Sequence, residues 1–250
     1  MIRDARFKPA TRLTDQRWIF WRVGWLATNA LIVTLFIIGQ WFLYRELQLP
    51  CRGICQDDPF YLTAGEIADM RASGYAPKLY AGYQVGLYVF FFLVHVIIAT
   101  LIFRARPEDR LARFVAFALL IWSGMFPSVP YMLWAEAPAI AWLLTIGGTV
   151  GGLCFYLFLF IFPNGQFAPH WMRWFALPLT LWGVIGSLFS SPVLSTTSLG
   201  VIEERLWPVF LQLFVLTAIG TQIYRYRRLS NAVERQQSRW VLFGIIAGLS

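Results

Sequence analysis

Six stretches of this chain are apolar over about the length that a helix needs to cross a lipid bilayer. A transmembrane helix takes about 20 such residues, because the hydrocarbon core is about 30 Å thick and a helix rises about 1.5 Å per residue. The predicted spans are 23–44, 82–103, 111–134, 139–162, 174–190 and 207–224, and residues 240–250 begin a seventh. The predicted fold class is therefore all-α: a polytopic transmembrane helix bundle with six full spans and the start of a seventh.

The seventh apolar run reaches Ser250 after 11 residues. As a helix, that length rises about 16 Å, which is about half of the hydrocarbon thickness. A terminal carboxylate there would lie in the bilayer core, where a charge costs several kcal/mol. We therefore expect the sequence to be part of a longer protein.

The charge distribution supports a membrane location and predicts an orientation. Only 14% of the residues are charged, whereas soluble domains carry about 25%. The net charge of +8 fits either nucleic acid or a membrane surface. However, 16 of the 21 Lys and Arg residues lie in alternate connections on one side of the predicted spans. This pattern sets topology, so the N-terminus is predicted to be cytoplasmic and no nucleic-acid partner is expected.

The connections between the spans differ in length and charge. They are a cytoplasmic basic arm at 1–22, an extracytoplasmic loop with a short helix at 45–81, inner connections at 104–110, 163–173 and 225–239, and an outer loop at 191–206. The last inner connection is rich in arginine, which fits plain topology, a contact with anionic lipid or a contact with a cytoplasmic domain; topology alone is favoured. Asn164-Gly165 after Pro163 predicts a tight turn with a positive φ at the glycine.

The extracytoplasmic loop carries two local signals. Thr63 and Glu66 have the spacing of a capping box, which predicts a short helix that ends at Gly74. Cys51 and Cys55 lie in a loop that contains Pro and Gly, on the predicted oxidising side of the membrane. A disulfide is favoured over two unpaired thiols, and a metal site is least favoured because no His accompanies them.

The middle of the predicted spans holds no Asp, Glu, Lys or Arg, although proton and ion pumps depend on such residues. His95 is the one deep titratable group, and it fits a sensing or gating role or a structural hydrogen bond to a neighbouring helix, which is favoured. Glu136, at an outer boundary, is a second candidate for sensing or gating. Because paired His, Asp pairs and Ser–His sets are also absent, we expect no catalytic, metal or cofactor site in this chain. Cys154 fits a small buried side chain.

Small residues recur four apart in the fourth span, at Gly147, Gly148, Gly151 and Gly152. Such a stripe lets another helix approach closely. A homodimer contact and packing within the bundle both fit, and packing within the bundle is favoured. In the third span, Pro127 and Pro130 predict a kink near the outer end.

Two connections resemble segments of a known family. The stretch LFLFIFPNGQFAPHWMRW resembles a turn in the multi-spanning input regions of bacterial sensor histidine kinases, and RYRRLSNAVERQQSRWVLFG resembles another segment of the same regions. Residues 62–110, with Tyr80-Ala-Gly-Tyr83, are similar as well. The resemblance implies a two-component sensor in the bacterial cytoplasmic membrane. A phosphorylation helix pair and an ATP-binding domain follow in many relatives. This chain has neither element, so no kinase activity is assigned to it.

The leading hypothesis is a sensory input module whose outer loop and bundle respond to a ligand, a lipid or the state of the envelope. Its expected partners are the lipid bilayer, a second copy and a cytoplasmic signalling domain or protein. The alternative is a transporter or channel for a neutral or lipidic substrate, which predicts symmetry between the two halves of the chain, and none is evident. A scaffold that only recruits partners is a third hypothesis.

Overall fold

The computed structural model describes residues 15–51, 60–125, 129–163, 165–189, 194 and 197–228. The predicted seventh span and the first part of the basic arm lie outside these ranges. The helices are α1 (Asp15–Glu46), α2 (Ala64–Ala72), α3 (Pro77–Ala105), α4 (Arg110–Met125), α5 (Tyr131–Glu136), α6 (Pro138–Ile161), α7 (Arg173–Phe189) and α8 (Ser198–Arg228), with a 3-10 turn at His170–Met172 before α7. The described part of the chain contains no strand, and the predicted all-α fold is confirmed.

Four of the helices in the described ranges are long and apolar enough to cross a membrane, which indicates a membrane protein. They are Trp18–Glu46, Pro77–Ala105, Pro138–Ile161 and Arg205–Arg228. The helices α4 and α7 have 16 and 17 residues, fewer than the roughly 20 that span the hydrocarbon. The predicted count of six spans is therefore not confirmed within the described ranges.

Local side-chain chemistry explains where several helices begin. The predicted capping box starts α2: Thr63 N donates to Glu66 Oε2 at 2.7 Å, and Glu66 N donates to Thr63 Oγ1 at 3.3 Å. Gly74 follows α2 with φ +82°, as predicted. At the start of α4, Leu111 N donates to Asp109 Oδ1 at 2.8 Å. Prolines occupy the first turns of α3 and α6, where their missing N–H is not needed.

The predicted third span, 111–134, is not one continuous helix. The helix α4 ends at Met125, and α5 begins at Tyr131 directly after Pro130. Proline lacks the N–H of a helical bond and disfavours helical conformation in the residue before it. The sequence predicted a kink here, and the structure instead has two separate helices.

Two helices are longer than the spans predicted for them. The helix α1 begins at Asp15, inside the predicted basic arm 1–22, and α8 begins at Ser198, inside the predicted outer loop 191–206. Both added segments carry charged residues, so a search for apolar runs does not include them.

The bundle has two ends of different character. We call the arginine end the one where α1 begins, α3 ends and α4 begins, and the loop end the one where α1 ends and residues 47–76 follow. At the arginine end, Trp25 stacks on Phe103 with ring centroids 4.6 Å apart and meets Phe117 edge-on at 5.2 Å. These rings join α1, α3 and α4. At the loop end, α5 contacts α1 and α6.

The helix α6 joins two halves of the core. Leu144, in its first half, packs with residues of α1 and α4, and Phe160, near its end, packs with α7 and α8. At Gly151, α6 approaches α4 so closely that an added Cβ would lie 3.0 Å from the backbone N and Cα of Trp122. Trp122 also stacks on Phe155 of α6 at 4.9 Å. The two helices are therefore in direct backbone contact.

Candidate functional site

Glu46, at the end of α1, links the predicted extracytoplasmic segment to the bundle. Its Oε1 accepts a hydrogen bond from Met132 N of α5 at 3.2 Å, and its Oε2 accepts one from the Tyr61 hydroxyl at 3.4 Å. Tyr61 also packs edge-on against Tyr131 at 5.4 Å. One carboxylate thus holds two segments that are distant in sequence against the same helix end.

An ion pair lies beside this bridge. An Arg45 guanidinium nitrogen is 3.5 Å from a carboxylate oxygen of Glu136, and the two side chains are 45% and 46% exposed. Such exposed pairs contribute about 0–1 kcal/mol, so the pair orients the start of α6 more than it stabilises the fold. Glu136, a candidate for sensing or gating, therefore contacts the end of α1. We call Arg45, Glu46, Tyr61, Met132 and Glu136 the loop-end junction.

Cys51 anchors the segment next to this junction. Its side chain is buried in a cluster with Tyr61 and Ala81, and its backbone N donates to Leu62 O at 2.9 Å. Cys51 is disulfide-bonded. Cys55 lies outside the described residues, so its pairing with Cys51 stays a prediction.

His95 bonds within its own helix. Its Nδ1 lies 2.8 Å from Phe91 O, one turn earlier in α3, and the two rings are 4.0 Å apart. The favoured interpretation expected a partner on a neighbouring helix. Among the described residues, no hydrogen bond joins His95 to another helix, and a sensing role for it stays a prediction.

The glycine frames of α6 lie along its contact with α4. Gly151 and Gly152 are buried, and an added Cβ at Gly152 would lie 3.6 Å from the Trp122 ring. Gly147 and Gly148 are half-buried. The contact at Gly151 and Gly152 is packing within the bundle, and a dimer contact through the other two glycines stays a prediction.

Two side chains of α8 bond to the end of α6 and the turn after it. Gln222 Nε2 donates to Leu159 O at 2.8 Å, and Arg225 Nη2 donates to Phe160 O at 3.0 Å and also to Gln166 O. Gln222 and Arg225 are 0% and 1% exposed. The last carbonyls of a helix lack intrahelical donors, and a cation there interacts favourably with the helix dipole. The two side chains therefore cap α6 from another helix, and we call these contacts the turn junction.

The turn junction was not predicted, because Arg225 was counted only as a topology-setting charge. The spacing of residues along α8 would have predicted these contacts. Phe214, Ala218 and Gln222 recur every four residues on the buried face of α8, and Arg225 continues that face. Gly165 has φ +76°, as predicted for the turn. The junction also joins the two segments on which the family resemblance rests.

A second buried arginine holds the other connection at the arginine end. Arg113 of α4 is 6% exposed, and its Nη1 donates to Pro107 O. Its guanidinium carbon lies 4.7 Å from the centre of the Trp21 ring of α1, within the range of a cation–π interaction. Arg113 thus fixes the α3–α4 connection against α1, much as Arg225 fixes the α6–α7 turn.

The described residues contain no group of three His, Cys, Asp or Glu side chains that would hold a metal ion. Cys154 is a free thiol within α6. The two junctions consist of hydrogen bonds, ring contacts and one ion pair. Their effect is to fix the positions of helix ends and connections.

Comparison with models of protein families, with curated proteins and with solved structures finds no match to this chain. The resemblance to sensor histidine kinases therefore rests on the quoted sequence segments and stays a prediction.

Proposed function

We propose that this protein is the transmembrane input module of a bacterial signal-transduction protein in the cytoplasmic membrane. The observation that carries the proposal is the presence of bonded junctions at both ends of one bundle. The loop-end junction ties Tyr61, just before α2, to α1 and α5, and the turn junction ties the α6–α7 turn to α8. A change in the outer segment therefore has a continuous physical route to the last described helix.

The route runs through rigid elements. The helix α1 has 32 residues and extends without a break from the loop-end junction to the arginine end. The helix α6 begins at the same junction beside Glu136 and ends at the turn that Arg225 holds. Helix shifts of about 1–2 Å carry signals in other proteins. A stimulus acts on this bundle by favouring one of two positions of these helices.

On this proposal, α4 and α7 also lie in the bilayer, and six helices cross it. At 1.5 Å per residue, 16 and 17 residues rise about 24–26 Å, which local thinning of the membrane accommodates at modest cost. The arginine end then faces the cytoplasm by the positive-inside rule. The effector is a cytoplasmic domain or partner that contacts residues 225–239 and responds to the position of α8.

The test measures whether a change at the loop-end junction reaches the turn junction. Spin labels on cysteines that replace Arg173 and Arg227, in a Cys154→Ala background, report the distance between the start of α7 and the end of α8. Glu46→Gln removes the charged acceptor of Tyr61 and Met132, so we expect the distance in lipid vesicles to shift by about 1–2 Å. The matched control is Asp69→Asn, which changes an exposed carboxylate of α2 and should leave the distance unchanged.

The transporter alternative is tested in the same vesicles. Movement of a fluorescent phospholipid between leaflets and uptake of glycerol are measured with and without the protein. Transport together with an unchanged spin-label distance in the Glu46→Gln protein would support the alternative and contradict the input module. A distance change without transport would support the input module.

A further inference from the structure

Exposed arginines gather at the arginine end of the bundle, where α1, α3 and α4 meet: Arg22, Arg104, Arg106 and Arg110. The three helices are joined at this end by ring contacts, among them Trp18 with Phe103 at 6.0 Å and Trp25 with Phe103 at 4.6 Å. The three helix ends that carry these arginines are therefore packed against one another.

The connection between α3 and α4 also carries two carboxylates, Glu108 and Asp109, between Arg106 and Arg110. Among the side chains that the structure describes, which begin at Trp18, no Asp or Glu oxygen lies within ion-pair distance of the four guanidinium groups. The Asp109 carboxylate, which is close in sequence, accepts hydrogen bonds from Leu111 N and Ala112 N at 2.8 and 3.4 Å. It is thus engaged at the start of α4. With four arginines against the carboxylates of Glu108 and Asp109, the patch keeps a net positive charge for a ligand.

The patch is held in place by buried contacts. Arg113 bonds to Pro107 O and packs over Trp21, which fixes the connection that carries Arg106. Two arginines therefore serve different purposes here: the buried Arg113 shapes the connection, and the exposed Arg106 faces outward from it.

The depth of the patch in the membrane is marked by aromatic and aliphatic side chains. The Arg22 guanidinium carbon lies 5.7 Å from the centre of the Trp18 ring, and Trp side chains settle at head-group level. Beside them, Ile19, Phe20 and Leu101 are 59%, 69% and 62% exposed. Positive charge at head-group depth thus lies next to an apolar surface along which acyl chains can pack.

The geometry points to a binding site for an anionic glycerophospholipid on this patch. Guanidinium groups bind phosphate oxygens through paired N–H donors, and the adjoining apolar side chains match the acyl chains. A soluble anion or a nucleic acid would use only the charges and would leave the apolar surface unmatched. This inference depends neither on which side of the membrane the patch faces nor on the signalling proposal.

The experiment compares lipid binding by the intact protein and two variants. Native mass spectrometry measures how much phosphatidylglycerol the detergent-solubilised protein retains relative to phosphatidylcholine after reconstitution in a mixture of both. The combined variant Arg104→Gln, Arg106→Gln, Arg110→Gln is expected to lose about fivefold in relative affinity for each arginine removed. The control variant Arg71→Gln, Lys78→Gln, which removes two exposed charges at the loop end, should retain phosphatidylglycerol like the unmodified protein.

Equal retention by the triple variant and the unmodified protein would overturn the inference, because the arginines would then serve topology alone. Displacement of phosphatidylglycerol by inorganic phosphate would also overturn it, since the site would then be one for soluble anions. If the triple glutamine variant does not insert into the membrane, the corresponding triple lysine variant is used instead. Its retention of phosphatidylglycerol is then measured at rising salt concentrations. Retention that weakens with rising salt supports the site, and retention insensitive to salt overturns it.

Discussion

Arg225 shows how a single charged side chain can support a turn. Its guanidinium donates to Phe160 O and Gln166 O while its side chain is almost wholly buried. Arg225→Ala should lower the free energy of unfolding by about 2–4 kcal/mol, because the buried carbonyls lose charged donors and a cavity remains. Hydrogen exchange should also rise at residues 162–169. Arg227→Ala, which removes an exposed arginine of the same helix, is the control. Equal effects of the two substitutions would contradict this role.

Glu66 makes the start of α2 sensitive to pH. The pKa of its carboxyl lies below the usual value because Thr63 donates backbone and side-chain hydrogen bonds to it. The folded-state pKa is depressed, so the stabilisation is present above the unfolded value and is lost as pH falls through the folded pKa. Amide protection in α2 should therefore be constant from neutral pH down to about pH 4.5 and fall below it. Glu66→Ala should remove this dependence; a variant with the same pH profile would contradict the assignment.

At the scale of elements, the sequence is informative where one local signal decides the outcome. The Thr63 and Glu66 spacing predicts both the start of α2 and its cap, because a capping box involves only neighbouring residues. Pro130 predicts the division of the third predicted span into α4 and α5 only in part, because the sequence stays apolar across the break. Glu136 could be named as a candidate, but its partner Arg45 lies in a distant segment. Arg225 was missed because its bonds depend on how α8 packs against α6.

The contact between α4 and α6 gives a test at the same scale. An alanine Cβ at Gly151 would lie 3.0 Å from backbone atoms of Trp122, and backbone cannot rotate away as a side chain can. Gly151→Ala should therefore destabilise the protein by about 1–3 kcal/mol, measured by thermal unfolding in detergent. Gly82→Ala in α3 is the control, because nothing lies within 4 Å of a Cβ there. A stabilised Gly151→Ala protein would show that the two helices are farther apart.

For the whole molecule, one ion pair constrains how many helices cross the membrane. Arg45 lies in the last turn of α1, Glu136 precedes α6, and their side chains are 3.5 Å apart. If α1 and α3 cross the bilayer but α4 does not, α6 begins on the side where α3 ends. The Arg45–Glu136 contact would then be impossible. If α4 also crosses, despite its 16 residues, α6 begins on the side where α1 ends and the contact is possible. The same reasoning applies to α7. If α7 did not cross, the end of α8 would lie on the opposite side from the end of α6, and Arg225 could not donate to Phe160 O.

Labelling of single cysteines from one side of the membrane decides between the two arrangements. In a Cys154→Ala background, Ala135→Cys and His170→Cys lie on either side of α6, at exposed positions. If six helices cross with the arginine end inside, an impermeant maleimide added to intact cells should label Ala135→Cys at once and His170→Cys only after permeabilisation. If only the four long helices cross, His170→Cys should be labelled at once and Ala135→Cys only after permeabilisation. Ala68→Cys in α2 should be labelled from outside in both cases. Because α6 spans the bilayer in either arrangement, the order of labelling alone shows whether α4 crosses with it.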